Sequence, residues 1–590
     1  AGFAEMYGLL MRRRDALLAT DGPLRGFLGQ PVRYVFRPTE QYGRIQRHSL
    51  APAHLGNGCD RSIELDHLSR GFVAEGEAAT AWSLVGAERE ALEELDIPRF
   101  EVRADATTVT SGDDTVGQDL FDESGYDQVV GRVQSLGEAD LTRQIAIIEQ
   151  SVRAWAARSD EHFDAAAGGV ESASEAPRGI TESERRRCFL VSANAIADTL
   201  ASAAQANADG SVSWVGPAQL PGTDRCQLLP VSEGLFGGRS GIALFLAACD
   251  RVNQSNAHRA LTDAALQPLR TLLRSRRPAS LGHFARMVGL GLAEGLGGVV
   301  YALTSLGTWW QDAALHDEAE ATARAISPKA IRSDRELDVT GGVAGAIVGL
   351  MKLYRERPSS EVLGIARECA RWLLQHQLGD GEHAGAWQTP AAARPLTGFS
   401  HGASGMAYAL LQVYAATREP VLLAAAWAAI EFERTAFVPD AGNWIDFRRH
   451  PPGSLPSCMV SWCHGAPGIS VARLALLAER QPPLVAQDLE AALVTTRVPR
   501  AHAVDHLCCG SFGRFEILLH AARVLGRPEL AEAAREQAWD ILARADRFRM
   551  LPPVVPAEEA PGLFDGLAGI GYVLLRLAAP DELPSVLAWE

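Results

Sequence analysis

Lysine is almost missing from this 590-residue chain: it occurs only as Lys329 and Lys352, against dozens of arginines. No Gly-x-x-x-x-Gly-Lys-Ser/Thr loop is present, so no lysine is placed to grip the phosphates of a nucleotide. A nucleotide-binding lobe, if the enzyme uses one, is expected outside this sequence. The longest apolar runs, such as Ile242 to Ala248, fall well short of a membrane span, and no charged-then-apolar leader precedes them. The chain opens at Ala1-Gly2-Phe3-Ala4-Glu5-Met6-Tyr7 without an initiator methionine, which is read as a piece of something longer. Positive charge is in deficit, with a formal net charge of −16 and a pI near 5.5. That disfavours a nucleic acid held by phosphate contacts and says nothing against a peptide substrate. The nine cysteines are scattered without disulfide-framework spacing, as expected of free thiols in a cytoplasmic protein.

What the chain has in quantity is glycine, in a pattern. Gly-x-x-Gly followed by an apolar run recurs at Gly238, Gly295, Gly342, Gly402, Gly465, Gly510 and Gly566, with starts 57, 47, 60, 63, 45 and 56 residues apart. One such motif is a common turn, whereas seven in register define a repeat. Each interval has room for two helices, and a two-helix repeat cannot bury its apolar stripe alone, so the copies are expected to stack and close into a ring. The fold class this gives is mainly α, a seven-fold α/α toroid. Residues 1–156 lack the motif and mix helical stretches with a β-rich run at Pro31 to Arg37, so a separate α+β domain is expected there. A stretch poor in large apolar residues supports a linker over 157–184, with the toroid over 185–590.

Immediately before the first glycines stand Gly237, Glu294, Gly341, His401, His464, Cys509 and Asp565, and one place earlier stand Cys463 and Cys508. These positions are expected to line one end of the ring. Cys463, Cys508 and Cys509 then read as three zinc ligands with a fourth position left for water or substrate, the count of a catalytic site. Helix N-termini nearby would favour their thiolate form. The bland alternative is three buried core thiols. His464 is open to three readings: a wall of the cleft, a structural histidine, or a fourth ligand that would close the site. His401 and Asp338, at the mouths of the two preceding copies, suit acid–base work, with helix capping as the other reading of Asp338.

The motifs Ser461 to Gly468, Leu507-Cys508-Cys509-Gly510 and Gly398-Phe399-Ser400-His401-Gly402 resemble those of lanthionine synthetase C-like cyclases, over roughly residues 185–590. Asn443 to Arg448 and Gly566 to Tyr572 resemble the cyclase domain of bifunctional class II lanthipeptide synthetases. Pro31 to Thr39 and Asp96 to Phe100 resemble their dehydratase half, which in that family is kinase-like. The resemblance implies that Arg33 and Thr39 are elimination residues, with ATP and Mg2+ needed only by a full-length dehydratase. It also implies one Zn2+ per cyclase domain. Most of the family carries Cys-His-Gly in the second motif, so Cys508-Cys509-Gly510 is similar to the three-cysteine subgroup. Three thiolates outweigh the 2+ charge, which leaves a fourth, from substrate, electron-rich.

The activity implied is addition of precursor-peptide cysteine thiols to dehydroalanine or dehydrobutyrine, forming lanthionine or methyllanthionine. His401 would give the proton and Asp338 would orient or recharge it. The partner implied is a ribosomal precursor peptide with its leader, and association with an exporter stays open. Two rivals stand beside this reading: a zinc-containing peptide- or glutathione-binding toroid without cyclase activity, and an (α/α) barrel glycoside hydrolase, which works with paired carboxylates and needs no thiols.

Overall fold

A computed structural model of the chain describes residues 2–69, 82–148 (save 119, 139, 143 and 146), 180–219 (save 208), 226–274, 278–449, 457–477, 483–499, 504–544 and 560–590. The chain divides into two compact units, Ala1–Glu149 and Gln150–Glu590. Of the linker expected over 157–184, residues 157–179 lie outside the described residues, while 182–184 already open a helix. No helix among the described residues is long and apolar enough to cross a membrane.

The first unit is α+β. The run at Pro31 supplies β1 (Pro31–Tyr34), which pairs antiparallel with β2 (Phe100–Arg103), followed in sheet order by β3 (Val109–Ser111) and β4 (Asp114–Gly117). Phe100 and Val109 are buried with Leu84 of helix Trp82–Glu93, so one sheet face packs on that helix. The same helix carries the fully buried Glu88. Arg37 donates to Glu88 at 2.6 Å and Tyr42 Oη donates to it at 2.7 Å. A buried carboxylate is tolerable only when paired in this way.

In the second unit every repeat begins the same way. The first glycine of each copy is the N-cap of an inner helix: Arg239–Asn253, Leu296–Trp310, Val343–Glu356, Ala403–Thr417, Ala466–Leu476, Ser511–Leu525 and Leu567–Ala578. These helices are apolar almost all round and buried, as a central ring requires. Each packs on the next, and the seventh packs on the first. Outer helices follow the first six. The seventh inner helix takes its partner from the opposite end of the unit, Glu182–Ala203, which starts with a capping box between Thr181 and Glu184. The ring is therefore closed by a helix that precedes the first repeat.

The second glycine of each copy has one steric reason. A Cβ there would lie 1.8–2.2 Å from the carbonyl oxygen three residues before the first glycine, in all seven copies; at Gly468 that atom is the Trp462 oxygen, 1.9 Å away. The inner helix thus turns back against its own entry loop, which only a residue without Cβ permits.

The entry loops are also bonded to one another. Taking the residue two places before each first glycine, Phe236 N–H donates to Ala293, Ala293 to Thr340, Thr340 to Ser400, Ser400 to Cys463, Cys463 to Cys508, Cys508 to Phe564, and Phe564 back to Phe236. All seven bonds run from backbone N–H to backbone carbonyl at 2.8–3.4 Å. Beneath this closed cycle the axis is filled by aromatic rings, with Phe236 stacked on Phe564 at 3.8 Å and Trp462 at 5.2 Å from Phe564.

Gly468→Ala is expected to lower stability by about 1–3 kcal/mol, because the added methyl must displace the Trp462 carbonyl. Gly364→Ala, on the exposed face of outer helix Ser360–His376 where a Cβ meets nothing within 4 Å, should instead raise it by about 0.5–1 kcal/mol. Chemical unfolding of the two variants measures both, and equal effects would refute the close-approach account.

Candidate metal centre

The cycle of loops decides what meets at its mouth. Cys463 and Cys508 occupy adjacent places in it, joined by the 3.4 Å bond from Cys463 N–H to the Cys508 carbonyl, and Cys509 is the next residue. Their side chains converge. The Cys463 and Cys509 sulfurs are 3.2 Å apart, those of Cys508 and Cys509 3.5 Å, and all three lie within 4.8 Å of one another. In a tetrahedral zinc centre with bonds of about 2.3 Å the sulfurs sit about 3.8 Å apart. Shifts of little more than half an ångström would therefore let these thiols share an ion, so the donor set fits zinc. Cys463 is buried, and Cys508 and Cys509 are partly exposed, toward where a fourth ligand would enter.

The thiols are held in place from behind. Ser461 Oγ lies 3.1 Å from Cys463 Sγ and donates to the His464 carbonyl at 3.0 Å. Asn443, buried, accepts from Ala466 N–H at 2.8 Å and donates to the Met459 carbonyl at 3.0 Å, which pins the start and end of the Cys463 loop. Gly465, within that loop, has φ +100°, a left-handed value that favours glycine. On the other loop, Cys509 N–H donates to Nδ1 of His506, and burial pushes the His506 imidazole down to about 4. Hydrogen bonds from Cys508 and then Cys509 pull the Cys463 thiol well below its ordinary range, and the same hydrogen bonds to Cys463, with burial and its charge, push the other two up.

Beside the thiols stands an imidazole–carboxylate pair. His401 Nδ1 is 2.7 Å from Asp338 Oδ2, with Asp338 fully buried and His401 about a third exposed. The second oxygen of Asp338 accepts from Gly341 N–H at 2.8 Å. Capping of helix Val343–Glu356 falls to Asp334, whose Oδ2 accepts from Val343 N–H at 3.0 Å. Asp338 thus braces its own loop with one oxygen and orients His401 with the other. With Nδ1–H committed to Asp338, Nε2 is the nitrogen left for a substrate. Burial opposes a charge on His401, yet the hydrogen bond and charge of Asp338 outweigh it, and the net shift is upward.

His464 is a wall of this site and lies outside the sulfur group. Its ring stacks on His401 with centroids 6.0 Å apart, Nε2 is 3.4 Å from Ser400 Oγ, and burial pushes it down to about 4. The His401 loop itself is anchored by buried Glu433, which accepts from Gly398 N–H at 2.9 Å, Ser404 N–H at 3.2 Å and Arg473 at 2.7 Å.

Sequence reasoning gave Arg448 no role at the site, whereas Glu294 and Asp565 stand at the ring end as expected. Arg448 is held by Asp446 through Nε at 3.1 Å and Nη2 at 2.8 Å, with Asp446 buried beneath it. Burial opposes the Arg448 charge, but the hydrogen bonds and charge of Asp446 and then the charges of Cys463 and Cys509 raise its pKa overall, which puts this cation within electrostatic reach of the thiols. Its motif was noticed, but the loop that carries it precedes the thiol copy and no spacing rule links the two. Across the mouth, Glu294 and Asp565 form an acidic side. Both residues reach solvent, but partial loss of hydration against the surrounding protein raises both carboxyls, Asp565 to about 6, and Ser232 Oγ donates to Glu294. Arg33, on β1, and Thr39, first residue of helix Thr39–Ser49, are exposed residues of the first unit.

Comparison with known proteins agrees with this architecture. A family model described as lanthionine synthetase C-like protein matches residues 230–588, more than half of the chain. A domain of unknown function, DUF4135, matches residues 1–103. Among solved structures the chain is similar to a nisin cyclase, at 16% identity and TM-score 0.46, over 60% of this chain and 91% of that one. It is also similar to a cellobiose 2-epimerase from Bacillus thermoamylovorans, at 10% identity and TM-score 0.33, over 53% and 88%. These structural likenesses are too distant to carry any argument about chemistry. The family match does carry one, and the chain belongs to the lanthionine synthetase C-like family, within class II lanthipeptide synthetases, whose work is thioether ring formation in lanthipeptide biosynthesis.

Proposed function

We propose that the second unit closes thioether rings in a ribosomal precursor peptide by adding cysteine thiols to dehydroalanine or dehydrobutyrine, with His401 as proton donor. The observation that carries this is an oriented imidazole, Nδ1 on Asp338 and Nε2 unspent, beside three converging thiols. Zinc held by Cys463, Cys508 and Cys509 would supply the Lewis acid that keeps an incoming peptide thiol deprotonated at neutral pH.

The residues of the chain then do the rest. As the sulfur electron pair forms the S–Cβ bond, the Cα=Cβ π pair moves onto Cα and the adjacent carbonyl oxygen. Arg448, held rigid by Asp446, is placed to bind that oxygen as charge develops on it. His401 Nε2 transfers its proton to Cα and ends neutral. It is recharged by the proton that the next peptide thiol gives up, and Asp338 favours that recharging by stabilising the imidazolium. Glu433 and Asn443 keep the His401 and Cys463 loops from drifting, which matters because small misplacements forfeit much of the gain from proximity. For the first unit the reading is a dehydratase part in which Arg33 and Thr39 serve elimination of phosphate from a phosphorylated precursor.

Loss of free thiol from a pre-dehydrated peptide, followed by alkylation and mass spectrometry, tests the assignment. His401→Ala should slow ring closure by about 10²–10⁴-fold, and Cys509→Ala should abolish both catalysis and the zinc equivalent held by the thiols. Zinc retained with no catalysed thiol loss in the parent chain would mark the binding-only toroid instead. Arg33→Ala and Thr39→Ala should leave this ring-closing rate unchanged.

The pH profile gives a second test. A proton donor works while protonated, so activity should fall as pH rises through the His401 pKa, which Asp338 holds above its ordinary value. Asp338→Asn removes the charge that raises it, and the alkaline limb should move to lower pH. A limb that stays in place would remove His401 as the donor. Arg448→Ala should lower kcat by about 10²–10³-fold and, because its charge lowers the His401 pKa, should move the limb to higher pH, opposite to Asp338→Asn.

A further inference from the structure

Away from the thiols, three of the chain's histidines gather around one carboxylate in the first unit. Helix Thr39–Ser49 carries His48 in its last turn, a short 3-10 turn over Pro52–His54 brings His54 back, and helix Gly58–Leu65 carries Glu64 in its last turn. Asn57 starts that helix, its side chain accepting from Asp60 N–H at 3.0 Å. A second 3-10 turn, Asp66–Leu68, places His67 three residues beyond Glu64, the spacing that sets two side chains on one helical face. Underneath, Tyr42, Leu65, Leu68 and Leu92 form a small buried cluster that fixes the hairpin.

The donor atoms meet closely. His48 Nδ1 lies 2.8 Å from Glu64 Oε2, His67 Nε2 lies 3.4 Å from the same oxygen, and His54 Nδ1 lies 3.5 Å from Glu64 Oε1. One donor atom each from His48, His54 and Glu64 falls within 4.8 Å of the others, and the His48 and His54 rings have centroids 5.0 Å apart. Charge-assisted hydrogen bonds run at about 2.7–2.9 Å, and only the His48 contact is that short. With ligand bonds of about 2.0–2.1 Å, neighbouring donors of a tetrahedral ion sit about 3.3–3.4 Å apart, which is the spacing of the other two.

We propose that His48, His54 and Glu64, joined by His67 on an inward shift of its ring, form a second metal site, for zinc or a similar borderline divalent ion such as cobalt or nickel. Imidazole and carboxylate suit those metals. Three donors already converge, and His67 Nε2, near Glu64 but outside that group, would have to move inward to close the set; a site closed by four protein donors is structural. Its effect is to staple the end of helix Thr39–Ser49 to the end of helix Gly58–Leu65, a junction otherwise held by the small cluster of Tyr42, Leu65, Leu68 and Leu92.

Metal titration of the whole chain with Zn2+ alone, read by elemental analysis after gel filtration, should give two equivalents. Cys463→Ala/Cys508→Ala/Cys509→Ala should retain one, and adding Glu64→Gln to that variant should leave none. With Co2+ the thiol-free variant should show weak visible bands and no thiolate charge-transfer band. Because His48 is 62% exposed, His48→Gln should not disturb folding, and it should weaken the second equivalent by about tenfold or more. One equivalent in the parent and none in the thiol-free variant would overturn the proposal. So would a second equivalent indifferent to both His48→Gln and Glu64→Gln, which would mark adventitious binding only.

Discussion

Seven backbone hydrogen bonds joined head to tail around an axis are the constraint on which this toroid rests. Each entry loop gives its N–H to the next loop's carbonyl, and the last returns to the first. A closed cycle has no free edge at which loops could slip, so the register of every loop is set by its two neighbours. The same cycle satisfies backbone groups that would otherwise be buried without partners at the crowded N-termini of seven helices, where unmet amides are costly. The glycines follow from it. Loops can come this close to the helix starts only if the second glycine of each copy lets the chain pass against its own carbonyl.

Chemistry is then distributed by place. The residue two before each first glycine contributes its backbone to the cycle, and at Cys463 and Cys508 its side chain is a thiol as well. The following residue faces the mouth, giving His401, His464 and Cys509 on one side and Glu294 and Asp565 on the other. A site built in this way has each ligand fixed by a loop that the ring itself positions. Only the outer support differs from repeat to repeat. Buried Glu433 and Arg473 brace the His401 loop, and Asn443 braces the Cys463 loop. Removing one partner of such a buried pair costs about 3–5 kcal/mol, which would reach catalysis through the loop before it reached the fold.

How much of this the sequence disclosed follows from what a one-dimensional pattern can hold. Seven glycine motifs at similar intervals disclosed the repeat, and register within the motif disclosed the three cysteines, because both are local and periodic. The partner of the last inner helix was hidden. Helix Glu182–Ala203 precedes the repeats and carries no glycine motif, so nothing local links it to Leu567–Ala578. The pairing of His401 with Asp338 was legible as two polar residues at neighbouring mouths, but the choice between capping and orientation needed coordinates showing Asp334 in the cap. Arg448 was hidden in the same sense as the closing helix, since it acts from a loop between repeats. The histidines around Glu64 follow no known ligand spacing.

The electrostatics of the mouth add one further step. Three thiols this close cannot all ionise unaided: as Cys463 loses its proton, its charge holds the other two protonated. The carboxyls opposite are raised, yet Asp565 only to about 6, so it is still mostly ionised at neutral pH and adds negative potential across the mouth. Arg448 is a fixed positive charge within electrostatic reach of the thiols, and it is already shared with Asp446. A divalent cation among the three sulfurs would relieve that repulsion and let all three ionise. The capacity to hold one would then be a property of the spacing, set by the two adjacent places of the cycle from which Cys463 and Cys508 project.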